Sequence, residues 1–254
     1  GDAFAKRVPK YLERQFDVPD IVHACHIYLD GYGMLPYCRE HDLPLFVVSH
    51  GALINGFEEH SSSVRSKILE TLDEATGVLC VSDALAEKVS RLTDPAKVST
   101  VPIGADPTKF PTDRKAAIRE ERGISADSTV VLFVGQFTER KGMNELIELL
   151  PTLDLPNTEF VFVGHGGDMR DDLRDAVARS QFSTEYIFSG VTNETLREWF
   201  AASDLLLLPS HAEGRPTVIY EAMASETAVL ASDVGGVGEQ VADGETGDLL
   251  PAGD

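Results

Sequence analysis

The chain has 254 residues, with 22 lysine or arginine against 42 aspartate or glutamate, which gives a formal net charge of −20. Its hydrophobic fraction of 43% excludes a disordered acidic chain, and its length suits one large domain or two modest ones. So acidic a surface repels nucleic acid and anionic membranes unless cations are concentrated locally. The acids are spread along the whole chain, which favours adaptation to high salt, with an ordinary acidic protein as the alternative.

Cys25, Cys38 and Cys80 form no CxxC pair, and an odd, scattered set of cysteines is typical of reduced thiols in the cytoplasm. The longest purely aliphatic stretch, Leu205–Leu208, is far shorter than a membrane span. The sequence shows no signal peptide, but it begins with Gly1 and not with Met, so this absence carries little weight. From the cysteines we expect a cytoplasmic protein, with the cytoplasmic face of the membrane as the alternative location.

Short apolar runs alternate along the chain with segments of helical periodicity. Strands are predicted at Asp20–His23, Leu45–Val48, Val78–Val81, Val98–Val101, Val130–Val134, Phe160–Val163, Tyr186–Phe188, Leu205–Leu208 and Ala228–Ala231. Helices are predicted at Val64–Leu72, Ala84–Leu92, Asp113–Arg122, Met143–Leu150, Asp171–Ala178 and Thr195–Ala202. Continuous apolar strands that alternate with helices indicate a parallel sheet covered on both faces.

One stretch breaks this alternation. Residues Ile103–Thr112 contain two prolines, a glycine and no periodicity, which is typical of a linker. The alternation restarts after it. We therefore predict two α/β units, one formed by residues 1–111 and the other by residues 112–254.

The segment Pro209–Met223 follows the apolar run Leu205–Leu208 and carries the strongest site pattern. A helix is predicted to begin near Pro216, because proline suits the first helical turn, where no backbone N–H is needed. The start of such a helix offers the free N–H groups of Thr217 and Val218, with a partial positive charge, to an anion.

Two glutamates flank this anion site. Glu213 precedes the predicted helix and Glu221 lies within it, eight positions later, so both can face the same crevice. Gly214 allows a ligand to approach the backbone closely. Carboxylates are good acceptors for sugar hydroxyls, so the combination indicates a nucleotide sugar, with its diphosphate on the helix and its hydroxyls on the glutamates. The spacing of the glutamates alone favours the alternative, an ordinary helix start with two solvated acids.

The segment resembles the Glu-x7-Glu motif of the retaining GT-B glycosyltransferases, in particular family 4. Other segments resemble further motifs of that family, in its order and spacing: Val81–Leu85, Val101–Asp106, Val131–Gly142, Val161–Gly167, Ala231–Gly236 and Asp243–Gly247. The likeness runs from about residue 20 to the C-terminus. It implies the GT-B fold, in which two Rossmann-like parallel-sheet units face a cleft, the N-terminal unit on the acceptor side and the C-terminal unit binding the nucleotide-sugar donor.

The resemblance also implies the reaction. A hexosyl group would move from a UDP-, GDP- or ADP-sugar to an acceptor hydroxyl, with retention of configuration and without a metal or another cofactor. The acceptor would be a sugar, or a lipid-linked or protein-linked molecule, as in polysaccharide or glycoconjugate biosynthesis, and membrane association stays open. Because the net charge opposes an anionic donor, we expect donor affinity to hold or rise as salt is added.

Two other functions remain open at this point. A non-hydrolysing nucleotide-sugar epimerase would bind a similar donor but would need no acceptor. A non-catalytic nucleotide-sugar-binding protein is the second alternative, because Gln136, Glu226 and Gly238 depart from the family pattern.

The resemblance assigns roles to individual residues. The catalytic candidates are His50, Lys141 and Glu213. The donor-binding candidates are Gly135, Gln136, Lys141, Gly164, Gly214, Arg215, Pro216, Thr217, Val218 and Glu221. Lys141 follows a predicted strand, where such folds bind ligands, and its charge can neutralise a departing diphosphate. Gln136 stands where the family usually has a second cation, for which Arg140 or Arg215 are the candidate substitutes.

Two histidines are candidates on the acceptor side. His50 lies between the strand Leu45–Val48 and Gly51, and its Ser-His-Gly turn resembles the acceptor-domain histidine of the family; a capping or core histidine is the alternative. His26 lies beyond the first predicted strand and is the weaker candidate. His23 and His26 are three positions apart and would face opposite sides of a strand, so we expect no metal site there.

Compared with the family, the N-terminal unit looks incomplete. The first predicted strand, Asp20–His23, resembles one from the middle of the acceptor domain, and the glycine-rich loop that precedes it in the family has no counterpart here. The chain also stops before the final helices of the donor domain. We therefore expect an apolar sheet edge to be exposed in the first unit.

Overall fold

The fold is described from a computed structural model that covers Asp2–Gly253, apart from the side chains of residues 2–6 and of Thr184. The described chain divides into two compact units. The first contains the residues up to Ile103 together with Glu213–Arg215, and the second contains Gly104–Ala212 and the residues from Pro216 onwards. The division falls at the first residue of the predicted linker.

The first unit is a parallel sheet with helical crossovers. Its strands are β1 (Val22–Ala24), β2 (Leu45–Ser49), β3 (Gly77–Cys80) and β4 (Val98–Thr100), in that spatial order. Its helices are α1 (Asp2–Gln15), α2 (Tyr32–His41), α3 (Ala52–Asn55), α4 (Ser62–Glu74) and α5 (Asp83–Ser90). The core is aliphatic, with Val47 and Val78 of the sheet packed among Ile68 and Leu72 of α4. Each strand pairs in parallel with its sequence neighbour, and the helices supply the crossover connections that parallel neighbours need.

The edge of this sheet is apolar. β1 is an outer strand, and a groove of about 760 Å³ beside it is lined by Phe16, Ile21 and Val22. Phe16 and Ile21 are exposed over 63% and 52% of their surface. An apolar groove with the exposed side chains of Phe16 and Ile21 therefore lies beside β1.

The second unit has a longer parallel sheet. Its strands are β5 (Thr129–Val134), β6 (Thr158–Gly164), β7 (Ile187–Ser189), β8 (Leu205–Leu208), β9 (Ala228–Ser232) and β10 (Asp248–Leu250), in the order β10-β9-β8-β5-β6-β7. Its helices are α6 (Lys115–Glu121), α7 (Met143–Leu149), α8 (Arg170–Ala178), α9 (Asn193–Ala202) and α10 (Thr217–Ala224). Strand order reverses on the two sides of β5, which makes its carboxyl end the topological switch point where such sheets bind ligands.

Hydrophobic clusters cover both faces of this second sheet. Val130, Leu132 and Val134 of β5 belong to one cluster, whereas Val131 and Phe133 belong to the other. Because successive side chains of a strand point to opposite faces, this division shows a sheet that is buried on both sides. The predicted class of two parallel-sheet α/β units is confirmed. No helix within the described residues combines the length and the apolar character needed to cross a membrane.

The sequence patterns predict most of the helices and strands. Each predicted strand overlaps an observed one, but α1, α2, α3 and the strand β10 are not among the predictions. α2 contains Pro36 within a segment of weak polar–apolar contrast, and α3 and β10 are too short to show a period. In the predicted linker, residues 107–109 form a single 3₁₀ turn capped by Asp106.

A buried arginine ties together the amino ends of β5 and β8. The guanidinium of Arg119, on α6, donates to the carbonyls of Ala202 at 2.8 Å and Ser128 at 3.0 Å, and to Asp204 Oδ2 at 2.6 Å. Asp204 also accepts from Lys115 Nζ at 2.7 Å. Burial alone would raise the pKa of Asp204, but the hydrogen bonds from Lys115, from a backbone N–H and from Arg119 bring it below its ordinary value.

Replacing this arginine should therefore unfold the second unit more easily. We expect Arg119→Met to lower the free energy of unfolding by about 3 kcal/mol, because it leaves buried carbonyls and a paired carboxylate without their donor. Arg114→Met is the matched control, since the Arg114 side chain is 48% exposed, and it should cost less than about 0.5 kcal/mol. Urea unfolding followed by the fluorescence of Trp199, which is buried in this unit, measures both.

The same pair predicts a pH dependence. Because the pKa of Asp204 is lowered in the folded chain, its contribution is present above the ordinary carboxyl pKa and is lost as the pH falls through the lowered value. The difference in the free energy of unfolding between the wild type and Arg119→Met should therefore become smaller in acid. Equal losses for the two arginine variants would contradict this role of Arg119.

Candidate functional site

The start of α10 presents free backbone donors. The helix begins at Thr217, and Pro216 is the residue before it, with an extended conformation at φ −67° and ψ 119°. The sequence predicts Pro216 in the first helical turn, and this prediction is wrong by one residue. Pro216 caps the helix instead, and its carbonyl accepts a hydrogen bond from the N–H of Ile219. Thr217 and Val218 are then the first two helical residues, whose N–H groups have no acceptor within the helix.

Glu221 lies one turn along the same helix, on the same face as Thr217. Both residues line a cavity of about 220 Å³ together with Asp106, Lys109 and Arg197. Burial raises the pKa of the Glu221 carboxyl, and the positive charge of Arg197 offsets part of that rise. The cavity therefore combines a partly desolvated carboxylate with cations, a lining that suits a polar ligand which carries hydroxyls.

The loops after β5 and β6 touch each other through glycine. A Cβ placed on Gly164 would lie 2.1 Å from the carbonyl oxygen of Gly135, so no other residue fits there without a shift. The N–H of Gly135 donates to Val163 O at 3.0 Å, which continues the pairing of the strands into the loops. Gln136 follows Gly135 and is exposed. Gly135, Gln136 and Gly164 are thus brought together at the carboxyl edge of the second sheet.

Lys141 ends a short 3₁₀ turn, Glu139–Lys141, in the same loop. Gly142 follows it in the left-handed conformation, at φ +76°, and a Cβ there would lie 2.1 Å from the carbonyl oxygen of Pro209. The loop that carries Lys141 therefore packs against the segment that leads from β8 to α10. The structure gathers Lys141, the glycine turns and the start of α10 at one edge of one sheet.

Glu213, Gly214 and Arg215 group with the first unit. Glu213 is buried, and its carbonyl accepts a hydrogen bond from the side chain of Asn55 at 3.1 Å. A Cβ on Gly214 would lie 2.0 Å from the carbonyl oxygen of His50. His50 and the tripeptide are therefore in contact. The sequence does not predict this contact of Asn55, because no motif or period marks it.

His26 and His50 meet at the carboxyl ends of β1 and β2. Their ring centroids are 5.4 Å apart, and His26 Nδ1 lies 2.9 Å from Asp30 Oδ2. Loss of hydration lowers the pKa of His50, the nearby His26 lowers it further, and a hydrogen bond with the backbone of Cys25 offsets part of the shift. His50 is therefore mostly neutral at pH 7, where one ring nitrogen can accept a hydrogen bond and the other can donate one.

His23 and His26 do not belong to the candidate metal-ligand group of the described residues. That group of three side chains, whose ligand atoms all lie within 4.8 Å of one another, is Glu13, Glu40 and His41, near the C-terminal ends of α1 and α2. Both glutamates are exposed.

With this fold and site described, the chain can be placed among known proteins. Residues 114–254 match the family described as glycosyl transferases group 1, and residues 2–109 match glycosyltransferase family 4. The two parallel-sheet units are those of the GT-B fold. The chain belongs to the group 1 glycosyl transferases.

The related sequences are longer than this chain. It is 31% identical over 238 residues to TuaC of Bacillus subtilis, a glycosyltransferase named for teichuronic acid biosynthesis, and the match covers 92% of this chain and 58% of TuaC. It is 30% identical over 238 residues to the uncharacterized glycosyltransferase MJ1607 of Methanocaldococcus jannaschii, covering 88% of this chain and 60% of that protein. The chain thus spans less than two thirds of the length of these relatives.

Solved structures share the fold. Sucrose-phosphate synthase from Thermosynechococcus elongatus superposes with a TM-score of 0.81 at 22% identity, over 100% of this chain and 65% of that one. HepE of Anabaena, in complex with UDP-glucose, superposes with a TM-score of 0.82 at 20% identity, over 98% of this chain and 68% of that one.

The contact between Gly142 and Pro209 can be tested directly. We expect Gly142→Ala to lower the free energy of unfolding of the second unit by about 3 kcal/mol, because the new methyl group overlaps a backbone carbonyl. Gly123→Ala is the matched control: Gly123 also has a positive φ, of +70°, but no atom lies within 4 Å of its Cβ position. It should cost about 1 kcal/mol, for the backbone conformation alone. Urea unfolding that ranks the two variants equally would contradict the close approach.

Proposed function

We propose that the protein is a glycosyltransferase that moves a hexosyl group from a nucleotide-diphosphate sugar to an acceptor hydroxyl. The observation that carries the proposal is the convergence of Lys141, the glycine turn at Gly164 and the start of α10 at the carboxyl edge of one sheet. Support also comes from the fold relative HepE, whose crystal structure contains UDP-glucose. A UDP-, GDP- or ADP-sugar is the donor class that we propose.

The reaction needs charge stabilisation where the diphosphate departs. In the proposed arrangement, the N–H groups of Thr217 and Val218 and the ammonium group of Lys141 bind the phosphate oxygens as negative charge accumulates on them. Glu221 accepts hydrogen bonds from the ribose hydroxyls, and Glu213 accepts them from the donor sugar. These groups supply the stabilisation from the chain itself, so we propose a metal-independent reaction, with retention of configuration as the family resemblance implies.

The acceptor contacts that we propose are in the first unit. His50 is mostly neutral and can bond a hydroxyl, and His26 is held beside it by Asp30. A sugar, or a lipid-linked or protein-linked molecule, is the proposed acceptor class. We also propose a cytoplasmic location, since Cys25, Cys38 and Cys80 are free thiols.

Transfer should depend on Lys141 and Glu213. We expect Lys141→Ala to lower the rate of transfer by about 100-fold, because it removes a group that stabilises developing charge, and Glu213→Ala to lower it by about as much, because the donor sugar loses the carboxylate that orients it. Lys10→Ala and Glu148→Ala are the matched controls, because both side chains are exposed and lie outside the site. A thermal-shift screen with UDP-, GDP- and ADP-glucose first selects the donor, and release of the nucleoside diphosphate then measures transfer. Unchanged transfer in both site variants would defeat the assignment.

Donor binding should weaken in mild acid because of Glu221. Since the pKa of Glu221 is raised, its carboxyl gains a proton at a higher pH than an ordinary glutamate and then loses acceptor capacity. The charged groups that line its cavity are Asp106, Lys109 and Arg197. We expect the affinity for UDP-glucose to fall as the pH drops from 7.5 to 5, and Glu221→Gln to bind about tenfold more weakly with no such fall.

Calorimetry at each pH measures this dependence. UDP-glucose is the better probe, because the terminal phosphate of free UDP itself titrates in this range. Glu148→Gln is the control and should follow the wild type. A Glu221→Gln variant with the same pH profile as the wild type would remove Glu221 from the binding site.

A further inference from the structure

The side chains of His211 and Glu145 join the loop of Lys141 to the segment before α10. His211 Nε2 lies 2.8 Å from Glu145 Oε1. An ionised carboxylate only accepts hydrogen bonds, so the proton belongs to the imidazole nitrogen. Glu145 is on α7, four residues after Lys141, and His211 lies three residues after the end of β8. Both residues belong to the second unit.

Backbone contacts reinforce this link. The N–H of His211 donates to the carbonyl of Arg140 at 2.9 Å, and the Arg140 guanidinium donates to the carbonyl of Ala212 at 3.3 Å. Next to them, Gly142 packs directly against the carbonyl of Pro209. Arg140, before Lys141, is thus hydrogen-bonded to the segment that continues into α10, and Gly142, after Lys141, packs against it.

The Glu145 carboxylate is held in place by its hydrogen bond with His211. Within the described residues, the second carboxylate oxygen, Oε2, is buried and has no hydrogen-bond partner. The Glu145 side chain is 37% exposed and the His211 side chain 36%, so the pair is only partly hydrated. Loss of the imidazole would leave a partly buried carboxylate without this donor, and it would have to move towards water. Such a movement would pull on the turn of α7 that follows Lys141.

We propose that His211 and Glu145 are positioning residues for donor binding. Their hydrogen bond holds Lys141 at the distance from the start of α10 at which both contact one diphosphate. The inference rests on the proposed function, because the diphosphate belongs to the proposed donor. Neither residue touches the donor in this arrangement. Small misplacements of such groups cost binding and rate, because a ligand of fixed size must reach both at once.

The test is a double-mutant cycle on donor affinity. The variants are His211→Ala, Glu145→Ala and the double variant, with UDP-, GDP- and ADP-glucose as probes and calorimetry as the measurement. We expect each single variant to weaken binding of the selected donor by about tenfold, and the double variant to be no weaker than the singles, because both remove one interaction. Glu145→Gln keeps an acceptor oxygen and should bind like the wild type. Glu148→Ala, on the exposed side of α7, is the matched control.

A second measurement separates positioning from general loss of structure. Amide hydrogen exchange should become faster at residues 139–142 and 210–212 in both alanine variants, while the strands of the second sheet keep their protection. Exchange and affinity equal to those of Glu148→Ala would overturn the proposal, and so would losses that simply add in the double variant. If the alanine variants unfold, the Glu145→Gln variant is the test. Weaker donor binding by this variant at an unchanged melting temperature overturns the proposal, and donor binding equal to that of the wild type supports it.

The result also distinguishes this inference from the proposed function. If the wild type binds a nucleotide sugar and Lys141→Ala loses it, while His211→Ala does not, only the positioning role fails. If the wild type binds none of the three nucleotide sugars, the proposed function fails and the positioning role fails with it.

Discussion

At the carboxyl edge of β5, β6 and β8, loops pack backbone against backbone because Gly164 and Gly142 carry no side chain. The parallel register of the three strands brings their ends level, and glycine then allows carbonyl oxygens to lie where a Cβ would be. The loop of Lys141, the turn at Gly164 and the start of α10 depend on this close approach. Without it, Lys141, the glycine turn and the helix start would be spread over separate loops.

Charge is used differently at the two ends of this sheet. At the amino ends of β5 and β8, Arg119 and Lys115 donate hydrogen bonds to Asp204, and Arg119 also donates to neighbouring carbonyls. These charges therefore stabilise the fold. At the carboxyl ends, the helix start keeps backbone N–H groups that have no acceptor within the helix. A chain with a net charge of −20 can attract an anionic ligand only where such groups are concentrated.

Much of this architecture can be predicted from the sequence. The aliphatic runs predict the strands because strands buried on both faces leave no room for polar residues, and the run at Leu205–Leu208 is the clearest example. The start of α10 is predictable within one residue, because proline restricts the backbone wherever it stands. By contrast, α2 is hidden by Pro36, and β10 is too short to have a pattern.

Pairings between distant residues could not be predicted. Nothing in the sequence joins Glu145 to His211, or Arg119 to Asp204, since each pair is separated by more than 60 positions and carries no motif. The polar residues around Arg119 predict that it is exposed to solvent, but the packing of α6 on α9 buries it. The contact of His26 with His50 likewise requires β1 and β2 to be neighbours, which hydrophobic patterns do not reveal.

The amino-acid sequence by itself therefore determined the class of fold, the order of the strands along the chain, the candidate anion site at Thr217 and Val218, and the likeness to a glycosyltransferase family. These depend on local periodicity and on short motifs. The tertiary structure decided which loops touch, which charged groups are buried, and that Glu221 is partly desolvated while His50 meets His26. These depend on which strands pair and how helices pack, because only a folded chain brings residues that are far apart in sequence within the few ångströms over which hydrogen bonds and desolvation act.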